Sequence, residues 1–142
     1  MLHDTVALSS HLVFHHLGLA VRRPEEAMAF TSSLGYQIGE TVFDPEQNVN
    51  LIMCTHEIQP AVEIIWPANS KGPVHGLTDR HPTGVIYHVC YVTDDLRAAL
   101  AGLKKAGLDA ICVCPPKRAA LFGGRKVSFY NVVGIGLTEI LE

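Results

Sequence analysis

Charge is scarce in this chain. Of 142 residues only 18% are Asp, Glu, Lys or Arg, and 14 acids against 11 lysines and arginines leave a net charge of −3 with histidine neutral. There is no basic field of the kind that holds nucleic acid or an anionic membrane. Long apolar runs are missing too: histidine or glycine interrupts each one well before the roughly 18 residues a membrane span requires. The start of the chain has no cationic segment ahead of an apolar core, so no secretory leader is expected, and the cytoplasm is the expected compartment. Only four cysteines occur (Cys54, Cys90, Cys112 and Cys114), none in C-x-x-C spacing. That removes the usual redox and zinc motifs, and in a reducing compartment it removes a disulfide framework. All four stand in apolar, strand-like surroundings, where free cysteine acts as a small buried hydrophobe. Strand alternation puts Cys112 and Cys114 on one face.

What is present fits one globular domain. An apolar content of 48% argues against disorder, and a chain this long buries roughly 68–70% of its unfolded surface. The chain also resembles itself. Set His16 against His88, and Phe14–Val21 faces Ile86–Thr93, both short apolar runs with strand character. Ala27 then falls on Ala99 and Gly35 on Gly107, and the halves close on Val62-Glu63-Ile64 and Thr138-Glu139-Ile140. In the first half Pro24-Glu25-Glu26 opens a helix with Ala27, Phe30 and Leu34 as its apolar stripe and Gly35 as its stop. In the second, Thr93-Asp94-Asp95 caps a helix with Leu96, Leu100 and Leu103 as the stripe and Gly107 as the stop. Strands follow near 37–43, 49–54 and 61–66, and again near 109–114, 125–130 and 136–141. The expected class is α+β: two tandem β-α-β-β-β modules, about 13–67 and about 85–142, forming a cup-shaped mixed sheet within a single domain, 1–142. The Pro- and Gly-rich stretch of about 68–84 reads as the linker.

Strand alternation turns His16, Gly18 and Ala20 to one face and Leu17, Leu19 and Val21 to the other. His88 and Cys90 repeat that split against Val89 and Tyr91. Glu63 and Glu139 each lie mid-strand among large aliphatics, where a buried carboxylate needs a cation, a proton or solvent. A lone strand histidine is more often a hydrogen-bonded core residue than a ligand, and a lone strand glutamate more often faces water. As two equivalent pairs they read differently, because a duplicated module brings matching strands together about a pseudo-twofold axis. His16, Glu63, His88 and Glu139 then offer two imidazoles and two carboxylates to one divalent transition metal: zinc, nickel, cobalt, manganese or iron(II). His15 points the other way, and His3, His11, His56, His75 and His81 read as surface residues.

These features resemble a known family. His16-Leu17-Gly18-Leu19-Ala20-Val21, the repeated β-α-β-β-β outline and the closing Glu139-Ile140-Leu141 are similar to the vicinal oxygen chelate superfamily, which includes glyoxalases, bleomycin-resistance proteins and extradiol dioxygenases. The likeness runs from about Phe14 to the end of the chain. Its nearest branch is methylmalonyl-CoA epimerase, echoed in Pro45-Glu46-Gln47, Val62-Glu63-Ile64 with Pro67, Tyr87-His88-Val89 and Gly123-Gly124-Arg125-Lys126-Val127-Ser128-Phe129. The resemblance implies that His16, Glu63, His88 and Glu139 match the four metal-ligand positions. That branch often has Gln where Glu63 stands, whereas glyoxalase I has Glu. The branch also carries a second catalytic acid shortly after Pro-Glu-Gln. Here the matching place is Leu51, beside Asn50, and neither can act as a base.

The expected activity is metal-dependent proton transfer next to a carbonyl (an isomerase, epimerase or lyase step), with Glu139, or else Glu63, taking the proton. Lys117, Arg118, Arg125 and Lys126, flanking the Gly123-Gly124 turn, either pair with a substrate phosphate or carboxylate or merely solvate a loop. Two other readings compete. A binding protein of the bleomycin-resistance type would sequester a ligand without chemistry, and has no need of all four ligand types. An extradiol dioxygenase needs open iron positions that Glu63 would obstruct. The partners expected are a small-molecule substrate and a second copy of the chain, a homodimer. The sequence leaves open whether the metal site forms within one chain or between two.

Overall fold

The computed structural model describes residues 11–142. Among them are nine strands and three α-helices, and no helix is long and apolar enough to cross a membrane. In the first module β1 (Val13–Ala20) leads to α1 (Glu25–Ser33), then β2 (Gln37–Ile38), β3 (Val42–Asp44), β4 (Val49–Thr55) and β5 (Val62–Pro67). A helix, α2 (Pro73–Arg80), precedes the second module. There β6 (Val85–Val92) leads to α3 (Leu96–Lys105), β7 (Ala110–Arg118), a 3-10 turn at Ala120–Phe122, β8 (Lys126–Val132) and β9 (Gly136–Leu141).

Pairing is mixed and follows one plan twice. The strand order is β2-β4-β5-β1 in one module and β6-β9-β8-β7 in the other. β1 runs parallel to β5 with Gly18 opposite Glu63, and β6 runs parallel to β9 with Cys90 opposite Glu139. Gly18 stands two residues after His16, and Cys90 two after His88. The strands that carry His16, Glu63, His88 and Glu139 therefore share one register, which is the structural counterpart of the repeat in the sequence. Two compact units result: His16–Tyr87 with Ala119–Gly123, and His88–Arg118 with Gly124–Glu142 and the described residues up to His15.

Each unit packs its helix on the sheet face that carries the large aliphatics. In the first, Ile52, Cys54, Ile64 and Tyr36 form a buried cluster against which Ala27 and Met28 pack. In the second, Tyr130, Val132 and Ile140 do so with Leu96 and Leu100. Asp95 caps α3 as expected, its carboxylate accepting from the Ala98 N–H at 3.0 Å, and Gly35 and Gly107 are left-handed at φ 90° and 80°.

Several expectations need correction. The α1 stripe is displaced: Phe30 is 67% and Leu34 43% exposed, while Thr31 is buried. Its hydroxyl donates to the Ala27 carbonyl at 2.8 Å, so a polar residue goes inside with its group satisfied. The stretch between the modules carries a helix the sequence reading did not include, α2, which Pro73 suits at its first turn. The strand near 37–43 is two strands; both β2 and β3 pair with β4, and the break falls at Gly39, where a Cβ would lie 2.7 Å from the Met53 carbonyl oxygen.

The cysteines and His56 also depart from expectation. Cys112 is exposed and Cys114 half-buried, whereas Cys54 and Cys90 are buried free thiols. A bulge sets Cys112 opposite Tyr130 and Cys114 opposite Phe129, neighbours that face opposite ways, so the two do not share a face. Burial pushes the Cys54 thiol above its ordinary value, partly offset by a hydrogen bond to Thr31. His56 is half-buried and structural: its Nδ1 accepts from the Ile58 and Gln59 N–H groups, and its Nε2 lies 3.1 Å from the Leu34 carbonyl. The assignment of His3 to the surface falls outside the described residues.

Candidate metal centre

In the first-module unit, strand alternation puts His16, Gly18, Glu63, Met53, Leu51 and Ile65 on the face away from α1, since Met53 lies opposite Glu63 and Leu51 opposite Ile65. Gly18 stands directly across from Glu63. His16 Nε2 stands 3.7 Å from Glu63 Oε1, with the two side chains 0% and 4% exposed. In the second-module unit the arrangement recurs. His88 Nε2 stands 3.4 Å from Glu139 Oε1, with side chains 0% and 3% exposed.

Both separations exceed the 2.7–3.2 Å of a good N–H···O bond. Bonds of about 2.0–2.2 Å at tetrahedral or octahedral angles put neighbouring donor atoms roughly 2.8–3.6 Å apart; the 3.4 Å of His88 and Glu139 falls within that range and the 3.7 Å of His16 and Glu63 lies just beyond it. A carboxylate stripped of water this fully is expensive without a positive charge beside it. The donor set of each pair, one imidazole nitrogen and one carboxylate oxygen, thus fits a divalent transition metal.

Aromatic rings brace both imidazoles. Phe122 stacks on His16 with centroids 5.7 Å apart and planes 26° apart, and Phe129 meets His88 edge-on at 5.6 Å and 84°. Neither role was read from the sequence. Phe129 lies opposite Glu139 on β8, so the repeat register was the signal that could have found it. Phe122 had none: the Ala119–Gly123 segment belongs in sequence to the second module but packs in the first-module unit. There Leu121 joins the buried cluster of Val49, Leu51, Ile65 and Val74.

Leu51, where a second acid was sought, is 3% exposed in that cluster. Asn50 lies opposite Trp66 on the reverse face. The four basic candidates separate. Lys117 lies opposite Val127, on the face that Phe129 and Glu139 share, and is half-buried. Arg118 and Lys126 lie opposite each other on the reverse face. The Arg125 Nε–H donates to the Glu142 carbonyl at 2.7 Å.

Residues 15–129 match the Glyoxalase/Bleomycin resistance protein/Dioxygenase superfamily, and the chain belongs to it. The ethylmalonyl-CoA/methylmalonyl-CoA epimerase of Cereibacter sphaeroides is 31% identical over 118 residues, 82% of this chain and 86% of that protein. The human mitochondrial methylmalonyl-CoA epimerase is 30% identical over 98 residues, 68% of this chain and 55% of that protein. A solved Mycobacterium tuberculosis methylmalonyl-CoA epimerase superposes with a TM-score of 0.73 at 16% identity, covering 91% of this chain and 86% of that one. A methylmalonyl-CoA epimerase in complex with methylmalonyl-CoA and NH4+ superposes with a TM-score of 0.69 at 20% identity, covering 92% and 94%. The fold is accordingly glyoxalase-like, and the chain is an epimerase-type enzyme.

Proposed function

We propose that this enzyme moves a proton at the carbon next to a thioester carbonyl of a small acyl-CoA, and that it does so with one divalent metal. The observation that carries the reading is the buried His–Glu pair repeated at one register, His16 with Glu63 and His88 with Glu139. The four side chains are proposed to close on a single ion. Zinc, nickel, cobalt, manganese and iron(II) all suit two imidazoles and two carboxylates. Such an ion, when bound, supplies Lewis-acid polarisation of carbonyl oxygens and charge stabilisation for an enolate.

The proton is the work of this chain's own residues. Glu139, with Glu63 as the other candidate, accepts it at a carboxylate oxygen and returns it. Glu139 is flanked on its face by Phe129 and Cys90, neither of which competes for a proton as a carboxylate does. Leu51, sealed in an apolar cluster, offers no base, so the His–Glu pairs carry the acid–base chemistry. Lys117 is proposed to hold an anionic part of the substrate, being the one basic candidate on the Glu139 face. The acyl-CoA class rests on the epimerase relatives, one of which is solved with methylmalonyl-CoA.

The enzyme is proposed to be a homodimer. The cytoplasm is proposed as its compartment, the exposed thiol of Cys112 suiting a reducing medium. Incubation with methylmalonyl-CoA and ethylmalonyl-CoA in heavy water, followed by proton NMR, tests the activity. Exchange of the α-proton is expected, lost on chelation and restored by one of the five metals. Absence of exchange with both thioesters under every metal would sink the reading.

A further inference from the structure

Two residues stand directly opposite Glu63 on the neighbouring strands, Gly18 on β1 and Met53 on β4. Gly18 has no side chain to offer, so Met53 is the one side chain directly across from Glu63. Toward one end of the strands this face is sealed: Leu51 and Ile65 are 3% and 2% exposed in the cluster they form with Val49 and Val74. Toward the other end Thr55 is exposed, and Met53 itself is half-buried. Met53 therefore marks the step from closed core to open surface beside Glu63.

The buried clusters built on β4 and β5 leave Met53 out. It belongs neither to that of Tyr36, Ile52, Cys54 and Ile64 on the α1 side nor to that of Val49, Leu51, Ile65 and Val74. Its backbone is held, the carbonyl accepting the Gly39 N–H at 2.9 Å. Its thioether is unbranched and flexible, a group that fills irregular gaps. Directly opposite residues keep their Cβ atoms about 4.5–5.5 Å apart, so a molecule seated against Glu63 touches Met53 as well. A thioether is at most a weak acceptor. A carbonyl or carboxylate gains little there, and an alkyl group gains by leaving water.

We infer that Met53 sets how large an alkyl group the enzyme accepts on the carbon that loses the proton. The inference rests on the proton-transfer reading above, in which Glu63 stands at that carbon as ligand or base, and it adds which part of the substrate meets the first-module unit. Shortening Met53 opens space beside Glu63 and favours a longer alkyl chain. A rigid ring in its place fills that space and favours a short one.

Proton NMR in heavy water, on the metal-loaded enzyme, reads kcat/KM for α-proton exchange with methylmalonyl-, ethylmalonyl- and propylmalonyl-CoA. The propyl-to-methyl ratio is expected to rise at least about tenfold in Met53→Ala and to fall at least about tenfold in Met53→Phe, the scale on which a methylene counts in an apolar pocket. Met53→Leu, close in volume, should stay within about threefold of the wild type. Such a ratio does not depend on how much of a variant is folded, and Met53→Phe decides the matter alone should Met53→Ala not fold. A ratio within about twofold of the wild type in the folded variants, or rates that fall alike for all three thioesters, would overturn the role of Met53 and leave the proton-transfer reading standing. A wild type that exchanges none of the three would bring down that reading, and the role of Met53 with it.

Discussion

Glu63 and Glu139 each keep no more than 3% of their surface in contact with water, and each stands beside an imidazole in its own unit. A carboxylate held in one place, with little water around it, can take a proton from the carbon next to a carbonyl, the role proposed for Glu139. Glu139→Gln, which preserves shape and removes the base, is expected to lower turnover by about 10²–10⁴-fold with circular dichroism unchanged. Turnover at the wild-type level would refute the assignment. Phe122 acts one step further out. Its ring stacks on His16, and under the proposed metal site a group that orients such a ligand is typically worth about 10–100-fold in metal affinity. Phe122→Ala should weaken cobalt binding by calorimetry on that scale, and Phe122→Tyr should restore most of it; equal affinity in all three proteins would show that the stack orients nothing. The pairing of His16 with Glu63 and of His88 with Glu139 was legible in the sequence and the rings were not. Alternation along β1, β5, β6 and β9 is a local property. The contact between Phe122 and His16 depends on where a distant five-residue segment packs.

Helix α3 shows local rules at their strongest. Asp95 accepts from Ala98, the Thr93 hydroxyl accepts from the Asp95 N–H at 3.1 Å, and Lys104 and Lys105 close the last turn, so cap and charge agree with the apolar stripe. Asp95→Ala removes the side-chain cap and is expected to cost about 1 kcal/mol, read as a lower urea midpoint with the slope unchanged. No shift in that midpoint would mean that packing of Leu100 and Leu103 alone holds the helix. Helix α1 misled the reading for a physical reason. Spacing alone allowed either of two adjacent faces, and large residues favoured the one with Phe30 and Leu34. A threonine can occupy the inner face because its hydroxyl bonds back to the Ala27 carbonyl, which no count of apolar residues registers. Helix α2 escaped because Gly72-Pro73 and Gly76 look like loop punctuation, although proline is favourable at a first helical turn.

The whole molecule sets one question that neither residue nor element answers, whether the two His–Glu pairs serve one ion or two. The modules repeat in sequence and register, and a repeated unit is free to bind one ion per unit. Two ligands per unit would, however, leave each ion with half a coordination shell of protein, a weak site for a structural or catalytic metal. Closure of both pairs on one ion gives four ligands, and binding of that ion stabilises the folded state by about 4.1 kcal/mol at a thousandfold excess over its Kd. Metal analysis of the purified chain is therefore expected to give one equivalent, and chelation to lower Tm by on the order of 10 °C. The paired variant His16→Ala/Glu63→Ala separates the alternatives. With one shared ion it should lose nearly all metal and nearly all of the chelator-sensitive Tm, and His88→Ala/Glu139→Ala should do the same. Two equivalents in the wild type, falling to one in each paired variant, would mean that every module keeps its own ion and that the duplicated halves are two sites instead of one.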